Sequence, residues 1–253
     1  LVAHLDFLFS GQCDTYTSES DSNRILNTLL DLVRHRGDNL KVGTLEKDQS
    51  IPLDRLSQAH LRFSSGAALL KIACIPRFHA QIAKIQNLFL LSEFARDESV
   101  YARKDFASCL MKYLTRGKLS NKFHALLLLF VGDDEPTIAQ MSRKYVTLAF
   151  KSLKALLARS GPYNLDTREA PLFYPEYILP TLVLLLSRWP TFDDLYPQFF
   201  PFQRILFAYF DEATQDFDNY SFFLQLIRKI KQRRDIDIPT SSNSLVICDI
   251  ATL

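Results

Sequence analysis

The chain has 253 residues, 47% of them hydrophobic, which is enough to bury a continuous core and too much for a disordered chain. Thirty Lys and Arg stand against 28 Asp and Glu, a formal charge of +2, so no global field marks the chain for nucleic acid, a membrane surface or an acidic substrate. Seven glycines beside abundant Leu, Phe and Ala favour helices over the glycine-rich turns of sandwiches and barrels.

In chain order, segments 11–24 and 37–52 are rich in Ser, Asp, Gly and Lys and read as loops. The first strong helical pattern, "RFSSGAALLKIA" from Arg62, returns as "RKDFASCLMKYL" from Arg103 and "RKYVTLAFKSLK" from Arg143, at spacings of 41 and 40 residues. Each copy sets its apolar residues on one helical face: Leu69 and Ile72, then Phe106, Leu110 and Tyr113, then Val146, Phe150 and Leu153. Asp97 precedes Arg103, and Asp133, Asp134 and Glu135 precede Arg143. An acidic turn followed by an arginine predicts carboxylate–guanidinium pairing between stacked repeats, which assigns Arg62, Asp97, Arg103, Asp134 and Arg143 to structural roles.

Between the copies lie first-helix candidates. "HAQIAKIQNLFLLSEFA" (79–95) puts Ile82, Ile85, Phe89 and Leu91 inward, and "SNKFHALLLLFV" (120–131) starts at Ser120 as an N-cap. Asp134, followed by Glu135 and Pro136, reads as the next cap with a first-turn proline. Segment 159–172 is a further loop. Beyond it, 174–190, 197–210, 219–234 and 242–253 are helical candidates, with Pro180 in the first turns of the 174–190 helix. Two helices per roughly 40 residues predict an all-α solenoid of HEAT-like antiparallel pairs. The whole of 1–253 reads as a single piece of such an array. The missing initiator Met and the apolar patterns at both ends suggest a fragment of a longer protein.

No catalytic constellation stands out. The sequence contains no G-x-S-x-G, H-E-x-x-H, G-x-G-x-x-G or G-x-x-x-x-G-K, and the histidines at 4, 35, 60, 79 and 124 lie at no metal-ligand spacing and read as surface or capping residues. The cysteines at 13, 74, 109 and 248 form no ligand cluster and read as reduced and buried. The longest apolar runs fall short of the roughly 20 residues a membrane span needs. Two basic sets remain as candidates for an anionic ligand or partner: Arg228, Lys229, Lys231, Arg233 and Arg234, and Lys112, Arg116, Lys118 and Lys122. The bland reading of both is a solvated, soluble surface. Tyr174, Tyr177 and Trp189 read as packing residues near the 174–190 helix, or as a surface that holds a peptide.

Four stretches in order, "LRFSSGAALLKIACIPRFH" (61–79), "DESVYARKDFASCLMKYL" (97–114), "YPEYILPTLVLLLSRWPTFDD" (174–194) and "NYSFFLQLIRKIKQRRD…SSNSLVICDIATL" (219–253), resemble the C-terminal part of the HEAT array in the precocious-dissociation-of-sisters cohesin regulators. The resemblance covers roughly residues 55–253. It implies a non-catalytic nuclear scaffold on chromatin. Such a scaffold binds the kleisin subunit of cohesin and recruits, in competition, a Wapl-type release factor or the cohesin acetyltransferase. It also implies inositol hexakisphosphate as a ligand of a basic pocket. Two other readings stay open: a HEAT adaptor of the nuclear-transport kind, and a helical module in direct contact with DNA.

Overall fold

The computed structural model describes residues 19–42, 52–160, 174–189, 192, 199–214, 219–232 and 242–252. Among them are eleven α-helices and no strand, so the fold is all-α. The chain divides into two compact units, 1–109 and 110–253.

In the first unit α1 (Glu19–Arg34) packs on α2 (Arg55–Ala73) and on α4 (Ile85–Ser92), and α3 (Pro76–Ile82) packs back on α2. The core comes from the inward stripes: Leu26, Leu29 and Val33 of α1, and Leu69, Leu70 and Ile72 of α2. Asp54 starts α2 by accepting the Ser57 amide at 3.1 Å, and the Ser57 side chain first and this amide second lower its carboxyl pKa. Gly37, at φ 79°, lets the turn after α1 press onto α2, where a Cβ would lie 2.0 Å from the Gln58 carbonyl oxygen. Gly66 serves a second close approach. Phe94 and Phe106 stack with centroids 4.1 Å apart, and a Cβ at Gly66 would stand 2.5 and 2.6 Å from two Phe94 ring carbons.

Two expectations fail here. Segment 11–24 is not all loop, because α1 begins at Glu19; its buried periodicity starts later, with Leu26, so a polar first turn hides the start. Segment 79–95 is not one helix. It breaks at Ala83 and Lys84, where Lys84 turns extended, and a new helix starts at Ile85. Of the four residues expected inward, Ile82 and Leu91 are buried, as is Leu88, whereas Ile85 and Phe89 are only half-buried.

The second unit builds two rows of helices from α6 (Lys122–Leu129), α7 (Pro136–Ser160), α8 (Ile178–Ser187), α9 (Phe200–Ala213), α10 (Tyr220–Gln232) and α11 (Asn243–Ile250). One row runs α6, α8, α11 and the other α7, α9; α6 also packs on α7, and α10 on α11. Pairs laid on pairs are the stacking unit of an α-solenoid. Helix α6 is buried on every side from Phe123 to Leu129, which explains its unbroken apolar run. Its expected cap is displaced: Asn121, not Ser120, precedes the helix, and its side chain donates instead to the Tyr174 carbonyl at 2.9 Å. Asp134 is not the residue that precedes α7: the helix starts at Pro136, the Glu135 carbonyl accepts from the Ile138 and Ala139 amides, and Asp133 accepts the Glu135 amide at 2.8 Å in the turn before it. Pro180 lies in the first turn of α8, where no intrahelical N–H is required of it. Trp189 and Phe192 close the end of α8 against Phe202 of α9, with ring centroids 6.2 and 5.2 Å from it.

Candidate functional site

The arginines of the repeat find carboxylates, though not all of the expected ones. In the first unit Arg62 clamps Asp97 through Nε at 2.5 Å and Nη2 at 2.7 Å, with both side chains largely buried. Its Nη1 also donates to the Arg36 carbonyl at 2.6 Å. Arg103 donates to the backbone of that turn, at the Asp97 carbonyl at 2.7 Å, while Arg62 holds the carboxylate. In the second unit Arg143 pairs with Asp211 of α9 and lies over the Phe207 ring, 5.9 Å from its centroid. Asp134 is exposed at the start of α7 and is not its partner. Position explains the change: Asp134 sits at the N-terminus of the same helix, whereas α9 packs along α7. One turn on, Thr147 donates to the buried Glu212 at 2.5 Å.

The basic sets are less concentrated than their sequence suggests. On α10, Arg228 and Lys229 are exposed, while Lys231 is engaged in an ion pair with Asp249 of α11; Arg233 and Arg234 lie outside the described residues. Lys112, Arg116 and Lys118 are exposed and Lys122 is half-buried around the turn between α5 (Val100–Leu114) and α6. None of these lysines and arginines lines either of two cavities in the molecule. One cavity, about 190 Å³ in the first unit, is bounded by Arg34, Arg36, Arg62, Glu93 and Asp97, and its charges are matched: Arg34 with Asp31, Arg36 with Glu98, Arg62 with Asp97 and Arg96 with Glu93.

The other cavity is the larger and differs in chemistry. It is an apolar groove of about 640 Å³ in the second unit, lined by Leu206, Phe207 and Phe210 of α9, Leu224 and Ile227 of α10, and Ile250 closing α11. Phe207 is 70% exposed and Tyr220, on the same rim, 59%. Asp211 is the single charged residue of the lining, and Arg143 neutralises it. Sequence reasoning missed this groove because it is assembled from three helices; the available signal was Tyr220 and Leu224, apolar side chains off the inward stripe of Phe223 and Ile227.

The groups that could do chemistry are held inert. His124 is a core residue and not the surface residue expected, set edge-on to Phe150 at 5.6 Å. Burial lowers its pKa to about 4, against a smaller opposing pull from the backbone of Ala149, Asn121 and Ser120. Burial likewise pushes the Cys248 thiol up to about 11, with Lys231 opposing and Asp249 assisting. Cys74 and Cys109 are half-buried rather than fully buried, Cys74 because it stands at the C-terminal end of α2. Tyr174 and Tyr177 are each 39% exposed, which leaves Trp189 and its Phe202 contact as the packing member of that trio. Among the described residues no group of three or more His, Cys, Asp and Glu is placed to hold a metal ion, and no helix is long and apolar enough to cross a membrane.

Comparison with known proteins places this arrangement. A family model described as sister chromatid cohesion protein PDS5 matches residues 8–253. The PDS5 homolog A-B of Xenopus laevis is 24% identical over 208 residues, covering 79% of this chain and 15% of the relative. PDS5 homolog B of Gallus gallus is 22% identical over 242 residues, and that of Mus musculus 24% over 246, each covering 92% of the chain and 16% of the relative. The chain thus spans 15–16% of the length of these relatives.

Proposed function

Because this chain belongs to the PDS5 family of sister chromatid cohesion proteins, we propose that it works as a non-catalytic scaffold of cohesin regulation on chromatin, in the nucleus. The observation that carries this reading is the α9–α10–α11 groove. Its lining offers apolar surface and a neutralised charge, with no convergent acid, base and nucleophile. Such a surface recognises an extended or helical segment of another protein by burying large side chains. We assign the groove to a segment of the kleisin subunit, with the Wapl-type release factor and the cohesin acetyltransferase competing for the same assembly. The effect is exerted by position, and no bond is made or broken by this chain.

Purified kleisin, release factor and acetyltransferase, each tested against the chain by calorimetry, provide the test. Phe207→Asp with Leu224→Asp should weaken kleisin binding by about a hundredfold or more while helicity is retained, because two anchors of ~1.5 kcal/mol or more each are lost. Unchanged kleisin affinity in the double variant would overturn the assignment of the groove. Binding to a small GTPase with none to kleisin would favour a transport adaptor instead.

Inositol hexakisphosphate is a separate proposal, resting on the exposed Arg228 and Lys229 and on the Lys112, Arg116, Lys118 and Lys122 turn. With Lys231 held by Asp249, the described cations form no enclosed cradle for a polyphosphate. Charge reversal at Arg228 and Lys229 should abolish any titration of the ligand seen with the unaltered chain. The same exposed cations, open to solvent, would give DNA only a weak and strongly salt-dependent contact.

A further inference from the structure

The groove on α9 and α10 has a shape that its apolar character alone does not convey. Its α9 side is the stripe Gln203, Leu206, Phe207, Phe210 and Thr214, one face followed for about three turns, or about 16 Å at 1.5 Å per residue. Its α10 side is the stripe Tyr220, Phe223, Leu224 and Ile227, followed for about two turns. Phe223 joins the two, its ring edge-on to Phe210 with centroids 5.6 Å apart. Leu206, Phe223 and Ile227 are buried and form the floor, whereas Phe207 on α9 and Leu224 on α10 stay 70% and 44% exposed as the two edges.

Charge and hydrogen bonding restrict what can lie there. Asp211, the single charged residue of the lining, is neutralised by Arg143, so the complementary inward face of a guest is uncharged. The Thr214 and Thr252 hydroxyls donate within their own turns, to the Phe210 carbonyl at 2.6 Å and the Asp249 carbonyl at 2.7 Å. That leaves the exposed Gln203 and Tyr220 to meet the polar groups of a guest. An extended segment over the same length brings about five residues and turns alternate N–H and C=O groups onto a floor of Leu, Phe and Ile, with almost nothing to receive them. A helix has already bonded those groups within itself and presents side chains alone.

We propose that the groove receives an amphipathic helix of the partner, about three turns long, with apolar residues at i, i+3 or i+4, and i+7 on its inward face and no charge among them. This form of binding rests on the assignment of the groove to a segment of the kleisin subunit and adds to it the shape in which that segment is held. The apolar stripe of the guest interdigitates with Phe207 and Leu224, as the ridges of one helix seat between those of its neighbours. A helix of three turns is too short to persist free in water, so the segment folds as it binds, and its ordering offsets part of the contact free energy.

The test titrates overlapping isotope-labelled peptides that tile the kleisin subunit into the whole chain and into Phe207→Asp with Leu224→Asp. A peptide whose binding the double variant weakens is the occupant, and its Cα and carbonyl NMR shifts should turn helical over roughly eleven residues on binding. Proline placed between two of its apolar anchors should weaken binding by about a hundredfold relative to alanine at the same place, because the ring removes a helical hydrogen bond and clashes with the preceding turn. Both peptides are read on the unaltered chain, so this comparison does not depend on how a variant folds. A groove-dependent peptide with extended shifts, or one that accepts the proline as well as the alanine, overturns the helix while the groove keeps its partner. If no peptide binds in a groove-dependent way, the assignment of the groove falls and the helix with it.

Discussion

Asp97 illustrates how much can rest on one carboxylate. It receives two N–H bonds from Arg62 and one from the Ser99 amide at 2.9 Å, and its side chain is only 2% exposed. Removing it leaves a mostly buried guanidinium without a counter-charge, so Asp97→Ala should cost about 3–5 kcal/mol in urea unfolding. Replacing both partners with apolar residues of similar volume, Arg62→Met with Asp97→Leu, should cost far less. His124 makes the opposite kind of statement. Its folded pKa of about 4 lies below the ordinary 6.5, so between those values the unfolded chain binds a proton that the folded chain refuses. Stability from this residue is complete above about pH 6.5 and drains away as pH falls towards 4, by about 3 kcal/mol in all. Unfolding free energies of His124→Leu and the unaltered chain, measured from pH 7 to 4, should therefore converge or cross as the pH drops, with the shallower slope in the variant. The proximity of an acid to Arg103 and Arg143 was legible in the sequence, but the actual partners were not. Asp211 lies 68 residues from Arg143, and only the packing of α9 along α7 brings them together.

Among the elements, the repeat helices were the readable ones. Leu69, Phe106, Leu110, Val146 and Phe150 are almost fully buried, because a helix that packs on one side advertises itself by a 3.6-residue stripe. What escaped were elements whose pattern is interrupted or uniform: the break at Ala83–Lys84, the polar start of α1, and the all-round burial of α6. Gly66 is a case where an element depends on a missing side chain. Alanine there would raise helix propensity by about 1 kcal/mol, yet its methyl would press into Phe94, which is itself stacked on Phe106 and cannot retreat. Gly66→Ala should thus be net destabilising by about 1–2 kcal/mol in thermal or urea melts, and Phe94→Leu should remove most of the clash penalty in the double variant. If Gly66→Ala alone proves stabilising, the Phe94–Phe106 stack is not the constraint described.

At the scale of the molecule, the family was readable from four ordered motifs, and the all-α class from composition and period. The apolar groove and the Tyr177–Phe222 contact were not, since each joins residues that are far apart in sequence and meet only once the chain is folded. The two compact units also carry unequal reporters. Trp189 is the single tryptophan of the chain and packs edge-on against Phe202, wholly inside the 110–253 unit. Its fluorescence therefore reports on the 110–253 unit in which it packs, whereas far-ultraviolet ellipticity sums helices from both. Overlaying the two signals during a urea titration tells whether the halves melt together: coincident midpoints mean one cooperative body, and separated midpoints date the loss of each half without any added label.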